Sequence, residues 1–354
     1  MTTKRLFLKS LAALAVTASV AGAQAADAPS PPVRRRRDRA TRNGVFIPAS
    51  VDHASDEWKR VFERMRVAGV DGILAQVYDG EHAYWDSARL PVQTDRLTTF
   101  LPLAAEAGLE VHAWMATLPC RVAAVREAHL DWYTRDANGT VSDAFLEPDH
   151  PDVRAFVSGI VNEIATVPGV NGVHLADARY PSPAFGYGER LLAPFVRTHG
   201  ADPRRTEDGT VQAAWTERRR DALNVLVNEH LAPAAHEHAR AITASVLPLA
   251  AARTTALQDW PRWKLNAFFP LLFHDTPGPD LPWITREAQA AVAAVDVPVC
   301  VGLQAGGFDL SGMAKAVRAA LEGGASGVAL HALDTLTEER WMGMQLVIIG
   351  QRPD

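Results

Sequence analysis

Short apolar runs recur along the chain, each ending in polar residues and each followed by a stretch with helical spacing. The first is Gly44 to Ser50 (GVFIPAS) and the second Val70 to Tyr78 (VDGILAQVY). Between them Trp58, Val61, Phe62 and Met65 recur every three or four residues, which predicts a helix from about Ser55 to Ala68. Leu109 to Thr117 is the third run, preceded by a helix that Gly108 would cap. The fourth, Val170 to Ala176, follows a predicted helix over Pro151 to Thr166, with Asp149 as N-cap and Pro151 in the first turn. A long helical stretch from Trp215 to about Ala239 leads to the fifth run, Ala241 to Leu247. Lys264 to Phe273, Val297 to Leu303 and Gly327 to Leu330 complete the set, and a last helix covers about Thr337 to Ile349.

Eight strands alternating with helices predict an α/β fold, the (β/α)8 TIM barrel. Parallel strands buried on both faces need such continuous apolar runs. A doubly wound open sheet would carry a Gly-rich phosphate loop after the first strand, and Ala49-Ser50-Val51-Asp52-His53 stands there instead. Two connections are longer than a barrel needs, Pro119 to Glu147 and Pro181 to Thr210. Both follow strands, so both fall on the face where barrels build their sites. Tyr133, Asn138-Gly139, Pro181, Pro183 and Tyr187 make them read as ordered turns.

The first 25 residues read differently. Lys4, Arg5 and Lys9 precede an apolar stretch, Leu11 to Ala23, and Ala23-Gln24-Ala25 offers a cleavage site, so residues 1–25 are expected to be an export signal. The stretch is short of the roughly 20 apolar residues a membrane span takes, so no integral segment is expected after its removal. Thr3 to Lys9 resembles a twin-arginine signal with Lys4 in place of the first arginine, and the general secretory route stays open beside it. Residues 26–42, with Pro29, Pro31, Pro32 and the run Arg34 to Arg37, read as a linker, and 43–354 as a single barrel domain. Losing the signal removes three cations and no acid from a chain of net charge −5. That acidic balance argues against nucleic acid as partner. Cys120 and Cys300, in or beside predicted strands, are expected to be buried, reduced thiols. No spacing such as C-x-x-C or H-E-x-x-H exists, so neither metal nor cofactor is expected.

Candidate chemistry gathers where the runs end. The second ends in Gln76, Asp79, Glu81 and Tyr84; the third carries His112 and Trp114; the fourth carries His174 and runs on to Asp177, Arg179 and Tyr180. The sixth ends in His274 and Asp275, the seventh in Gln304, and the eighth in His331 and Asp334. Aromatic rings stack on the C–H faces of sugars, while carboxylates and amides bond their hydroxyls, so this mixture points to a glycan partner. Trp114, His112 and His174 also suit plain core packing. Arg179 needs a partner, since an unpaired charge at a strand end is costly, and Asp177 or a substrate could supply it.

These residues carry a resemblance. Ala75 to Ser87, His112-Ala113-Trp114, Ala128 to Gly139, Glu147 to Arg154 and Asn171 to Pro181 resemble, in order, the motifs of the glycosyl-hydrolase-like family 10 of bacterial barrel proteins. In two places the chain departs from the family: Tyr78 replaces an arginine, and Ala176 stands where the motif has an aspartate, Asp177 matching only the second aspartate of doubled variants. The resemblance implies a glycoside hydrolase acting on a bacterial polysaccharide or cell-wall glycan. Such hydrolysis uses two carboxyl groups, here Asp177 as proton donor with Asp275, Glu81 or Asp79 as the second. Gln76, Asp79, Tyr84, His112, Trp114, His174, Arg179, Tyr180, His274 and Gln304 would hold the sugar. The alternatives are a glycan-binding barrel without catalysis, and a metal-dependent deacetylase built on His274-Asp275 and His331 with Asp334.

Overall fold

A computed structural model describes residues 43–273 and 281–351. The export signal, the linker, His274 and Asp275 lie outside these residues. Eight parallel strands close into a barrel: β1 (Gly44–Ile47), β2 (Gly72–Tyr78) and β3 (Glu110–Ala116), then β6 (Gly172–Ala176), β7 (Ala241–Val246), β8 (Ala267–Leu272), β9 (Cys300–Gln304) and β10 (Gly327–His331). The two intervening strands, β4 (Tyr133–Arg135) and β5 (Val141–Leu146), form a separate antiparallel hairpin. Sequential neighbours pair around the ring, and β1 returns to β10 with Val45 opposite Leu330. Asn43 fastens that seam, because its Oδ1 accepts from the Val328 N–H at 3.2 Å while its Nδ2 donates to the Gly69 carbonyl at 3.2 Å.

The helices are α1 (Ser55–Val67), α2 (Leu97–Ala107), α3 (Ala123–Ala128), α4 (Pro151–Thr166), α5 (Glu189–His199), α6 (Gly209–Val225), α7 (Ala232–His236), α8 (Leu249–Thr255), α9 (Leu281–Ala293), α10 (Leu310–Glu322) and α11 (Glu338–Ile348). The apolar stripe of α1 explains its docking: Trp58, Phe62 and Met65 are fully buried, and Trp58 and Phe62 meet Phe100 of α2 at ring distances of 4.5 and 5.6 Å. Burying each such side chain contributes about 1.5–3 kcal/mol. Gly108 ends α2 at φ 72°, the left-handed cap expected of it. Cys120 and Cys300 are buried and unpaired with one another.

Several expectations are corrected. The N-cap of α4 is His150, whose Nδ1 accepts from the Asp152 N–H at 3.2 Å, while Asp149 turns to Arg154 and Arg218 instead. The long helix starts earlier than Trp215, at Gly209, because the Asp208 carboxylate caps the Thr210 N–H at 2.8 Å. The long connections are not turns alone. The first contains α3 and the β4–β5 hairpin, and the second contains α5, whose Leu191, Leu192 and Phe195 bury against Trp215. Pro194 inside α5 hides its helical character from a reading of the sequence.

Candidate active site

Alternate residues of each strand point into the barrel. Phe46, Leu74, Phe269, Cys300 and Ala329 form its inner core, with Trp114 and Leu271 packed on them. His174 of β6 seals the layer below the mouth. Its Nδ1 lies 2.8 Å from Thr243 Oγ1 and its Nε2 2.7 Å from Ser245 Oγ, and Phe46 and Phe269 stand edge-on to it at 5.5 and 5.0 Å. Full burial holds its pKa well below the ordinary imidazole value. Both nitrogens are engaged, so His174 is a strut of the barrel. His112 is buried on the same inner face, 3.5 Å from Glu110 at the start of β3. Gly172 makes room for it, since a Cβ there would sit 2.6 Å from His112 Nδ1.

Above this plug is a cavity of about 160 Å³ at the C-terminal ends of the strands. Phe46, Trp114 and His331 wall one side, their rings 5.2 to 6.0 Å apart. Burial pushes the His331 imidazole below its usual pKa, against the opposing pull of Asp334. Val246, Leu247, Leu271 and Ala176 add apolar surface, and Ser245, Gln258, Asp177 and Arg179 add polar atoms.

Asp177 reaches the cavity through its backbone. Ala176 already lines it, and the next residue of a continuing strand would face away. The strand ends at Ala176, however, and Asp177 adopts φ +53°, a left-handed turn that brings neighbouring residues to the same space. Its Oδ1 accepts from Arg179 Nε at 2.9 Å. Arg179 also donates to the carbonyls of Tyr180 and Pro181 at 3.4 and 3.3 Å and lies over the Phe145 ring of β5, 5.3 Å from its centroid. Gln258 braces this turn from the far side: its Nε2 donates to the Ala178 carbonyl and its Oε1 accepts from the Leu247 N–H, both at 3.2 Å.

Of the residues the sequence singled out, the cavity gathers Trp114, Asp177, Arg179 and His331. Gln76 does not line it, and its Oε1 accepts from the Ala49 N–H at 2.9 Å. Asp79 is occupied in its own turn, accepting from the Glu81 and His82 N–H groups and from the Tyr84 hydroxyl at 2.9 Å. Burial, with that bond to Asp79, pushes Tyr84 up to about 12. Glu81 and Gln304 are exposed, and neither lines the cavity. Tyr180 is buried away from it, its hydroxyl donating to Glu147 Oε1 at 2.9 Å. Among the described residues, Asp177 is the one carboxylate that lines the cavity, and no group of three His, Cys, Asp or Glu could hold a metal. The sequence reading missed Phe46, Ser245 and Gln258. The phase of β1 would have pointed Phe46 inward with Gly44, but nothing periodic marks Gln258.

The glycosyl hydrolase-like 10 profile matches residues 73–269, more than half of the chain. The chain belongs to that family. Comparison with curated proteins finds no match. Among solved structures, the PgaB glycoside hydrolase domain from Bordetella bronchiseptica superposes with a TM-score of 0.72 at 16% identity, covering 87% of this chain and 99% of that one. The catalytic domain of β-amylase from Paenibacillus polymyxa superposes with a TM-score of 0.65 at 14% identity, over 88% and 99%. The β-galactosidase of the haloarchaeon Halorubrum lacusprofundi follows at 0.66 and 13%, over 87% and 57%. At these identities the likeness is one of fold, a glycoside-hydrolase-like TIM barrel. In this member of the glycosyl hydrolase-like 10 family, the segments His112–Trp114 and Asn171–Pro181 supply adjacent strands of the barrel, paired Trp114 to His174. No described helix is long and apolar enough to cross a membrane.

Proposed function

We propose that this protein is an exported glycoside hydrolase acting on a bacterial polysaccharide or cell-wall glycan at the cavity formed by Trp114, Phe46, His331, Asp177 and Arg179. The observation that carries the proposal is the turn at Asp177, which brings this acid into the lining of a cavity that Phe46, Trp114 and His331 also line. Rings of that kind stack on sugar faces, and the Asp177 carboxyl group, when protonated, donates its proton to the glycosidic oxygen. Arg179 orients it through the 2.9 Å bond. At about 160 Å³ the cavity is smaller than the roughly 300–1,000 Å³ usual for small-molecule sites, which suits one sugar unit of a longer chain that continues across the rim. Asp275, just past the end of β8, is proposed as the second carboxylate. Export to the periplasm or beyond rests on the N-terminal pattern of residues 1–25.

A second reading, a glycan-binding barrel without catalysis, draws on Ala176, which presents a methyl group to the cavity where the family motif has an aspartate. One experiment separates the two. The full chain is incubated with cell-wall glycan and with exopolysaccharide, and new reducing ends are counted beside bound polymer. The hydrolase reading expects turnover that falls about 10²- to 10⁴-fold in Asp177→Asn with binding retained. Turnover unchanged in Asp177→Asn removes Asp177 from the chemistry, and binding without any new reducing ends establishes the second reading.

A further inference from the structure

The two long connections meet at a buried acid that does not line the cavity. Glu147 follows directly on β5 and is only 4% exposed. Its Oε2 accepts from the Thr134 hydroxyl of β4 and its Oε1 from the Tyr180 hydroxyl, each at 2.9 Å. Thr134 Oγ1 in turn accepts from the Gly186 N–H at 3.0 Å. Gly186, at φ +92°, is packed so tightly that a Cβ there would lie 2.7 Å from Arg219 Cδ and 2.8 Å from Tyr180 Cε1. Arg219 of α6 completes the set by donating to the carbonyls of Pro183 and Phe185 at 2.6 and 2.8 Å. Backbone also joins the hairpin to this segment, through the Tyr187 N–H to the Arg135 carbonyl at 2.9 Å and a bridge between Asp136 and Phe185. Glu147 is the carboxyl group that ties the two by side chains.

This junction stands three residues from Asp177. Arg179, which bonds Asp177, rests on Phe145, two residues before Glu147, and donates to the carbonyl of Tyr180, whose hydroxyl Glu147 holds. The end of β5 thus grips the arm of the cavity twice, by a ring and by an acid. We propose that Glu147 is a positioning residue that locks the hairpin to the segment bearing Asp177 and Arg179. The inference rests on the glycan reading of the cavity, although its main readout does not.

The chemistry is that of a buried acid. Burial pushes the Glu147 carboxyl up to about 7, the hydroxyls of Thr134 and Tyr180 pull it the other way, and Asp149 raises it. The other charged groups of the junction are Arg219, itself lowered by burial, and Arg154 and Arg218, which hold Asp149. Burial and the nearby Glu147 keep the Tyr180 phenol well above its ordinary value, so it stays a donor. On protonation Glu147 keeps the Tyr180 hydroxyl as donor and the Thr134 bond reverses, the acid donating to the Thr134 oxygen, and a glutamine copies that pattern. When the folded pKa of an acid exceeds its open-state value of 4.5, the closed form is favoured most at low pH. That advantage disappears as pH rises from about 4.5 to about 7.

Amide hydrogen exchange over residues 178–187, corrected for intrinsic rates, reads the lock without any substrate. In the natural protein, protection is expected to fall at least about tenfold between pH 5 and pH 7.5. In Glu147→Gln it is expected to stay near its acid value at both. Affinity for the glycan that the protein is found to bind should follow the same two profiles. Equal pH profiles in the natural protein and Glu147→Gln would overturn the proposal, as would full protection of the segment in Glu147→Leu. Absence of any glycan binding, with the exchange profiles as expected, would instead overturn the reading of the cavity.

Discussion

Asp177 is the residue on which local and global demands pull hardest against each other. A left-handed backbone costs a residue with a Cβ roughly 1–2 kcal/mol, and aspartate tolerates it better than most. The turn at φ +53° persists because Gln258 and Arg179 brace it from two sides. Strain of this kind collects where a side chain must be aimed. Asp177→Gly should therefore unfold at higher denaturant than Asp177→Ala, by about 1 kcal/mol, while both lose any turnover. Chemical denaturation of the two variants measures the difference, and equal stabilities would show the turn to be relaxed. Gln258→Leu keeps the volume but leaves the Ala178 carbonyl and the Leu247 N–H without their side-chain partner. Loss of each buried bond costs about 1–3 kcal/mol, so a drop of about 2 kcal/mol or more is expected, with weakened glycan binding in a titration.

At the scale of elements, His112 and Gly172 show how neighbouring strands depend on one another. β3 carries a buried imidazole, and β6 admits it only because residue 172 has no side chain. In Gly172→Ala the new methyl would lie 2.6 Å from His112 Nδ1 and 2.8 Å from the Ala241 carbonyl of β7. Backbone cannot yield as a flexible side chain does, so a loss of about 1–3 kcal/mol is expected, read as a lower thermal midpoint. A midpoint unchanged from the natural protein would mean that the strands can separate at no cost. The long connections obey similar logic. Helix α5 has a proline in its interior and is held by packing of Leu191, Leu192 and Phe195 against Trp215. Sequence periodicity shows the eight strands because each is a continuous apolar run. It passes over the hairpin, whose Tyr133, Thr134 and Arg135 give no alternation strong enough to read.

The whole molecule closes through residues far apart in sequence. Asn43 joins the first strand's entry to Val328 of the last. Asn43→Ala should cost about 1–3 kcal/mol, a fall of a few degrees in Tm by calorimetry, because the buried Val328 N–H loses its acceptor. Two opposed titrations contribute to how stability changes with pH. Burial depresses His174 and His331, so their contribution is lost as pH falls below the ordinary imidazole value of 6.5. Glu147 acts in the other direction, favouring the fold as pH falls from about 7 to 4.5. Glu147→Gln should consequently make stability decline more steeply between pH 6.5 and pH 5 than in the natural protein, and thermal melts across that range test it.

The number and order of the barrel strands, the closure of the barrel and the family follow from the sequence, because burial on both faces imposes an unbroken apolar run on every barrel strand. The candidate cavity was legible in part. Trp114, Asp177 and Arg179 belong to it, whereas His174, chosen from the same segment, serves as a strut because Thr243 and Ser245 meet both its nitrogens. Those partners sit on a strand about seventy positions away, and no local pattern encodes the pairing. The same holds for Glu147, whose burial depends on a hairpin folding against the 180–186 segment. Sequence determines which residues can form strands and helices, since that choice rests on spacing along the chain. Only the tertiary structure decides which polar groups face the cavity and which face one another, since that choice rests on contacts between segments.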